Sequence, residues 1–180
     1  MIVMAEIVLV TGEIQSGKTN LCLDLYKKAR EEGYSVAGLI SPAIFEKGEK
    51  VAIDVLDLKS GMQKRLAERN AGQPADLKTH HWSFFQDIVK WGNDKLSRAV
   101  PCDLLVIDEL GPLEFQRDQG WVNGFYAVES GEYQVAVIVI RPSLIDDAKR
   151  RWPSSRIIDL HTDRFSSLTG KDLLNIVLLD

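Results

Sequence analysis

Apolar residues fall along this chain in two rhythms, and the rhythms predict its elements. Short unbroken apolar runs occupy 7–10, 104–107, 134–140 and 155–160. A run without polar alternation suits a strand covered on both faces, the condition of a parallel sheet. Elsewhere apolar positions recur every three or four residues. Cys22, Leu25, Tyr26 and Ala29 form one such stripe in a predicted helix over 19–32, which Gly33 ends. Phe85, Ile88, Val89 and Leu96 form another in a helix predicted over 79–100, stopped by Pro101. Further helices are predicted over 119–129, with Trp121, Val122, Phe125 and Val128 inward, over 143–152, with Ser143 as N-cap, and over 165–179. Strands alternating with helices give an α/β fold in three layers: a mostly parallel central sheet with helices on both faces.

Two stretches depart from that alternation. Residues 34–45 and 50–58 are apolar and rich in β-branched types, with Glu46-Lys47-Gly48-Glu49 of turn composition between them. This is a hairpin signal, so a β-hairpin inserted near residues 34–58 is expected. Residues 62–77 are polar, rich in Arg, Lys and Gln, and weakly patterned. They read as irregular, either a mobile flap or a solvated connection. With no repeat, low-complexity tract or linker, one domain over 1–180 is expected.

Composition narrows the classes. The chain is 45% apolar and 27% charged, so an ordinary core is available. A net charge of −4 argues against a protein that wraps nucleic acid. Cys22 and Cys102 are far apart and read as thiols rather than a redox pair, and His80, His81 and His161 fit no metal template. There is no basic leader and no 18-residue apolar run. A cytoplasmic protein without membrane insertion is expected, and nothing names a protein partner.

The chemistry concentrates at Gly12-Glu13-Ile14-Gln15-Ser16-Gly17-Lys18-Thr19, which fits G-x-x-x-x-G-K-[ST] at every fixed position. Four fixed residues arise by chance in roughly one chain in 200 of this length. Here a predicted strand runs into the loop and a predicted helix runs out of it, the setting the motif requires. Successive N–H groups from Glu13 to Lys18 form an anion nest, reinforced by the positive end of the helix. Lys18 brings a point charge to β- and γ-phosphates, and Thr19 a hydroxyl to Mg²⁺. Asp108, directly after the apolar run 104–107, is placed to hold the same Mg²⁺. Glu109 stands beside it, and a carboxylate there can orient or deprotonate an attacking water.

The loop, the run Val106-Ile-Asp-Glu-Leu-Gly-Pro-Leu-Glu114 and the segment Gly38-Leu-Ile-Ser41 resemble a small family of nucleoside-triphosphatases, the thermophilic-phosphohydrolase or cancer-related type. Its acidic motif, Asp-Glu-Ile-Gly-x-x-Glu, is matched by Asp108, Glu109, Leu110, Gly111 and Glu114. The resemblance covers essentially the whole chain. It implies a P-loop NTPase fold and slow, Mg²⁺-dependent hydrolysis of ATP, GTP and related nucleotides with little base preference. Leu113 stands where the family often has Met, and Arg141 ends a strand that often finishes in Thr or His in relatives.

On this reading Lys18, Glu109 and Arg141 are the catalytic residues, with Arg141 reaching the γ-phosphate. The plainer alternative for Arg141 is an ion pair with Asp108, Glu109 or Glu114. Arg164 is a candidate for the base or ribose, against an ordinary salt bridge at a helix entry. Lys149-Arg150-Arg151 reads either as a lid or as a solvated helix end, and the four tryptophans as packing residues. Three rivals stand beside the NTPase. A switch GTPase fits Asp108-Glu-Leu-Gly111, yet no N-K-x-D motif is present. A small-molecule or nucleotide kinase would need an acceptor site and an Arg-rich lid, with Arg65 and Arg69 as candidates. A nucleotide-binding regulatory partner protein would need no turnover.

Overall fold

In the computed structural model, residues 5–69, 77–78 and 81–179 are described. The chain runs β1 (Glu6–Thr11), α1 (Lys18–Glu31), β2 (Val36–Ile40), β3 (Ala43–Glu46), β4 (Glu49–Asp57), β5 (Gln63–Arg69), β6 (Leu77–Lys78), β7 (Trp82–Phe84) and α2 (Gln86–Leu96). It continues through β8 (Cys102–Ile107), α3 (Pro112–Arg117), α4 (Val122–Ser130), β9 (Tyr133–Val139), α5 (Ile145–Arg151), β10 (Arg156–Asp159) and α6 (Gly170–Leu174).

The unbroken apolar runs became neighbouring parallel strands. β10, β1, β9, β8 and β2 lie side by side in that order, every pair parallel. Both faces are covered. Val8, Val10, Val106 and Val137 pack with Cys22, Leu25 and Ala29 of α1 and Leu173 of α6. Leu9, Leu39, Ile107 and Ile138 pack on the other side with Val89 of α2, Phe125 of α4 and Ala148 of α5. The three-layer α/β architecture is as the periodicity predicts.

Beyond β2 the sheet turns antiparallel, through β4, β5, β7 and β6, with β3 on the outside of β4. The predicted hairpin is present as β3–β4, turning at Lys47-Gly48. Its first arm needs correcting. Residues 34–45 divide at Ser41-Pro42: Val36–Ile40 joins the parallel sheet and only Ala43–Glu46 belongs to the hairpin. Gly38 makes this possible, because it sits at φ +113° with a hypothetical Cβ 1.9 Å from the Val106 carbonyl oxygen.

Other boundaries also move. Gln63–Arg69, expected to be irregular, is strand β5, because its backbone completes the ladder with β4; 70–76 lie outside the described residues. The helix expected from 79 begins at Gln86, after strand β7, and residues 79–80 also lie outside the described set. α3 forms where a turn is predicted. Ser143 falls in a 3-10 turn, Pro142–Leu144, and caps nothing. The last helix starts at Gly170, capped by Thr169, so 160–169 is a loop rather than a helix. No helix among the described residues is long and apolar enough to cross a membrane.

Candidate functional site

Parallel strands all end at one edge, and that edge collects the chemistry. In register, Val10 stands beside Val139, Thr11 beside Asp159, and Ile107 beside both Leu39 and Ile138. The residues just past these ends are the 12–19 loop, Ser41, Asp108-Glu109, Arg141 and His161.

The loop passes from β1 into α1 through Gly17, left-handed at φ +85° as the residue before the helix. A side chain at Gly12 would meet Ser16 Oγ at 2.7 Å. Lys18 folds back over the loop, and its ammonium donates to the carbonyls of Gly12 at 2.7 Å and Glu13 at 2.6 Å and to Ser16 Oγ at 3.2 Å. Burial pushes Lys18 below the ordinary lysine value, against the pull of Glu109 and Asp108. His161 was not foreseen in this role: its Nε2 accepts the Glu13 N–H at 2.9 Å, tying the loop to the segment after β10.

Asp108 is buried at 4% exposure. Burial pushes its carboxyl up to about 6, although the Ser41 N–H at 3.1 Å and the Thr19 hydroxyl both donate to it. The two residues predicted to share a metal are therefore in hydrogen-bond contact. Ser41 Oγ and Thr11 Oγ1 are buried there without a hydrogen-bond partner among the described residues. A carboxylate, two threonine hydroxyls and a serine hydroxyl are hard oxygen donors, and they fit Mg²⁺.

Glu109 is half-exposed and adopts φ +73°, a left-handed conformation that a non-glycine residue holds only when its surroundings enforce it. Enforcement comes from both sides. The Leu110 N–H donates to the Val139 carbonyl at 3.1 Å. Glu114, 8% exposed, accepts from the Gly111 N–H and the Trp121 N–H, both at 2.7 Å. The spacing Gly111-Pro-x-Glu114, a carboxylate three residues into a helix start, is the sequence signal for this clamp. Arg141 Nε donates to Glu109 Oε1, so the arginine and the candidate base form one ion pair.

The remaining basic candidates are placed elsewhere. The Arg164 guanidinium lies 5.0 Å from the Phe165 ring centre, near a cavity of about 350 Å³ lined by Ser16, Asn20, Leu160, Phe165 and Thr169. Lys149 donates to the carbonyls of Pro153 and Ser155, Arg150 pairs with Asp147 and Arg151 with Glu129; these are helix-end contacts, not a lid. Arg65 and Arg69 pair with Asp54 and Glu49 on the antiparallel strands. Cys22 is buried and Cys102 half-buried, both free.

Comparison with known proteins agrees with this geometry. The profile of a family described as NTPase matches residues 7–164. Nucleoside-triphosphatase THEP1 of Methanopyrus kandleri is 32% identical over 114 residues, 63% of this chain and 62% of that protein. THEP1 of Saccharolobus solfataricus is 33% identical over 110 residues, 61% of this chain and 62% of that protein. The chain thus spans 62% of the length of each of these relatives. THEP1 of Methanosarcina barkeri is 25% identical over 163 residues, covering 90% and 92%. The solution structure of a human cancer-related nucleoside triphosphatase superposes with a TM-score of 0.69 at 18% identity, covering 97% of this chain and 98% of that one. THEP1 from the hyperthermophile Aquifex aeolicus superposes at 0.60 and 16% identity, covering 96% and 99%. Both likenesses show the P-loop NTPase fold.

Proposed function

The chain belongs to the NTPase family, and from that premise we propose that it hydrolyses nucleoside triphosphates, ATP and GTP among them, to diphosphate and phosphate, slowly and with little base preference. One observation carries the reading. The Lys18 loop, the Thr19–Asp108 pair and Glu109 meet at a single edge of the sheet.

Loop amides from Glu13 to Lys18 wrap the phosphates, and Lys18 exchanges its carbonyl partners for phosphate oxygens. Thr19 and Asp108 would hold Mg²⁺, whose positive charge offsets that of the phosphates. Glu109 orients a water and takes its proton as the water oxygen bonds to the terminal phosphorus and the bond to the bridging oxygen breaks. Arg141 fixes the Glu109 carboxylate until the terminal phosphate competes for the guanidinium, which frees the base as the substrate arrives. The cavity beside Phe165 and Arg164 takes the nucleoside end.

Phosphate release from ATP, GTP, CTP and UTP with Mg²⁺ tests this, with and without a panel of acceptor molecules. Glu109→Ala is expected to lose activity by about 10²- to 10³-fold while still binding nucleotide. Release that requires an acceptor would make the protein a kinase. Equal release from the variant would remove Glu109 from the mechanism. Nucleotide binding without turnover under any condition would make it a binding module.

A further inference from the structure

Lys50 is the second residue of β4, opposite Phe45 at the mouth of the hairpin turn. β4 joins the parallel half only through Leu56 and Asp57, beside Ile40 and Leu39. Lys50 stands six residues before Leu56, so a straight strand would carry it about 20 Å past the sheet edge into solvent. The strand does not run straight. Register shifts interrupt the β3–β4 ladder between Ile44 and Phe45 and the β4–β5 ladder between Ile53 and Asp54, irregularities of the kind that bend strands. Lys50 is half-buried accordingly, and burial lowers its affinity for a proton. Glu109 and Asp108 are the anions that act on it, and Arg141 is the cation. The hairpin therefore curls over the site.

Three cations meet the Asp108–Glu109 pair, and two are engaged. Lys18 donates to three loop oxygens and Arg141 to Glu109. Lys50 rests on the ring of Trp82, 4.9 Å from its centre, and forms no ion pair with a described residue. The adjacent Glu49 is taken by Arg69 at 3.0 Å. A ring face holds an ammonium less firmly than an oxyanion does. A four-carbon stem lets the charge swing between the two.

We propose that Lys50 is a catalytic contact to the terminal phosphate: it leaves the Trp82 ring for the γ-phosphate oxygens and neutralises the charge that spreads there during transfer. This rests on the nucleotide reading above. It makes the hairpin the part of the fold that tells a triphosphate from a diphosphate, with Trp82 as a built-in reporter.

The test is calorimetric binding of Mg²⁺ with a non-hydrolysable ATP analogue, and separately with ADP, to the wild type, Lys50→Met and Lys50→Arg. Thermal midpoints check that each variant folds. Lys50→Met is expected to weaken the triphosphate analogue about tenfold or more, the size of one charged hydrogen bond, and to leave ADP within about twofold. Lys50→Arg keeps the preference. The analogue, but not ADP, changes tryptophan emission in the wild type, and Trp82→Phe loses that change. Unchanged binding of both nucleotides by Lys50→Met, or equal loss of both, overturns the proposal while leaving the nucleotide reading intact. A wild type that binds neither overturns both.

Discussion

The two halves of the sheet hold their charged groups differently. In the parallel half each group is fixed by backbone or by a neighbour: Lys18 by two loop carbonyls, Asp108 by the Ser41 N–H, Glu114 by two N–H groups. In the antiparallel half Lys50 has a ring face, and Arg69 has an exposed pairing with Glu49, a kind that contributes little. Construction explains the contrast. Parallel strands buried on both faces end together, so residues at their ends are held by adjacent backbones. The hairpin joins that half through one short ladder and is otherwise braced by its own strands. Phosphate grip is thus assigned to the pre-set half, and discrimination between nucleotides to the half that can shift.

The largest expected effect tests the grip. Lys18→Met should lower kcat/KM for ATP about a thousandfold, comparable to removing a pre-organised donor from a catalytic site. Stability should barely change, because the ammonium is partly desolvated and no carboxylate pairs with it. Phosphate-release kinetics and a thermal scan read both quantities. A drop of less than about tenfold would mean that the loop does not carry the phosphate, and the contrast between the halves would lose its functional meaning.

The next effect tests whether the halves fold together. β2 is the strand they share, with β8 on one side and β4 on the other. Gly38→Ala drives a Cβ to within 1.9 Å of the Val106 carbonyl oxygen at a backbone angle that alanine resists. About 3 kcal/mol or more of stability should be lost in urea unfolding. Amide exchange in β4 and β8 should rise together. A rise confined to β4 would make the hairpin an independently opening unit and would strengthen the case that it moves.

The parallel half was legible in the sequence because its signals are local. Unbroken apolar runs mark strands buried on both faces, the loop template spans eight residues, and the acidic pair follows its strand directly. The antiparallel half was not. Gln63–Arg69 carries the polar composition of a solvated segment and is a strand only because β4 offers it a ladder. Residues 34–45 read as one apolar run because both of their strands are apolar, and only the Ser41-Pro42 break divides them. Lys50 gave no signal, since its place depends on two bulges that bend a strand over residues almost sixty positions away. Glu109 was legible as a carboxylate beside Asp108, but the clamp that sets its backbone depends on Trp121, which only the fold brings to Glu114.

The smallest expected effect isolates that clamp. Burial pushes the Glu114 carboxyl up to about 7, although the Trp121 and Gly111 N–H groups favour its charged form. An unfolded glutamate titrates near 4.3. The folded protein therefore holds this proton more tightly than the unfolded chain does. Its contribution is fully present at low pH and is lost as pH rises through about 7, with a slope of at most about 1.4 kcal/mol per pH unit. Urea unfolding at several pH values between 4.5 and 7 should show that decline, and Glu114→Gln should flatten it. The same variant replaces one accepting oxygen with an NH₂ group facing an N–H, so it should lose about 1–3 kcal/mol at pH 5. Glu109 would then lose part of what holds its left-handed backbone, and kcat should fall while ADP affinity stays. An unchanged slope would mean that Glu114 is ionised throughout, held by its two N–H bonds alone; the pre-set half would then owe its rigidity to hydrogen bonding rather than to burial.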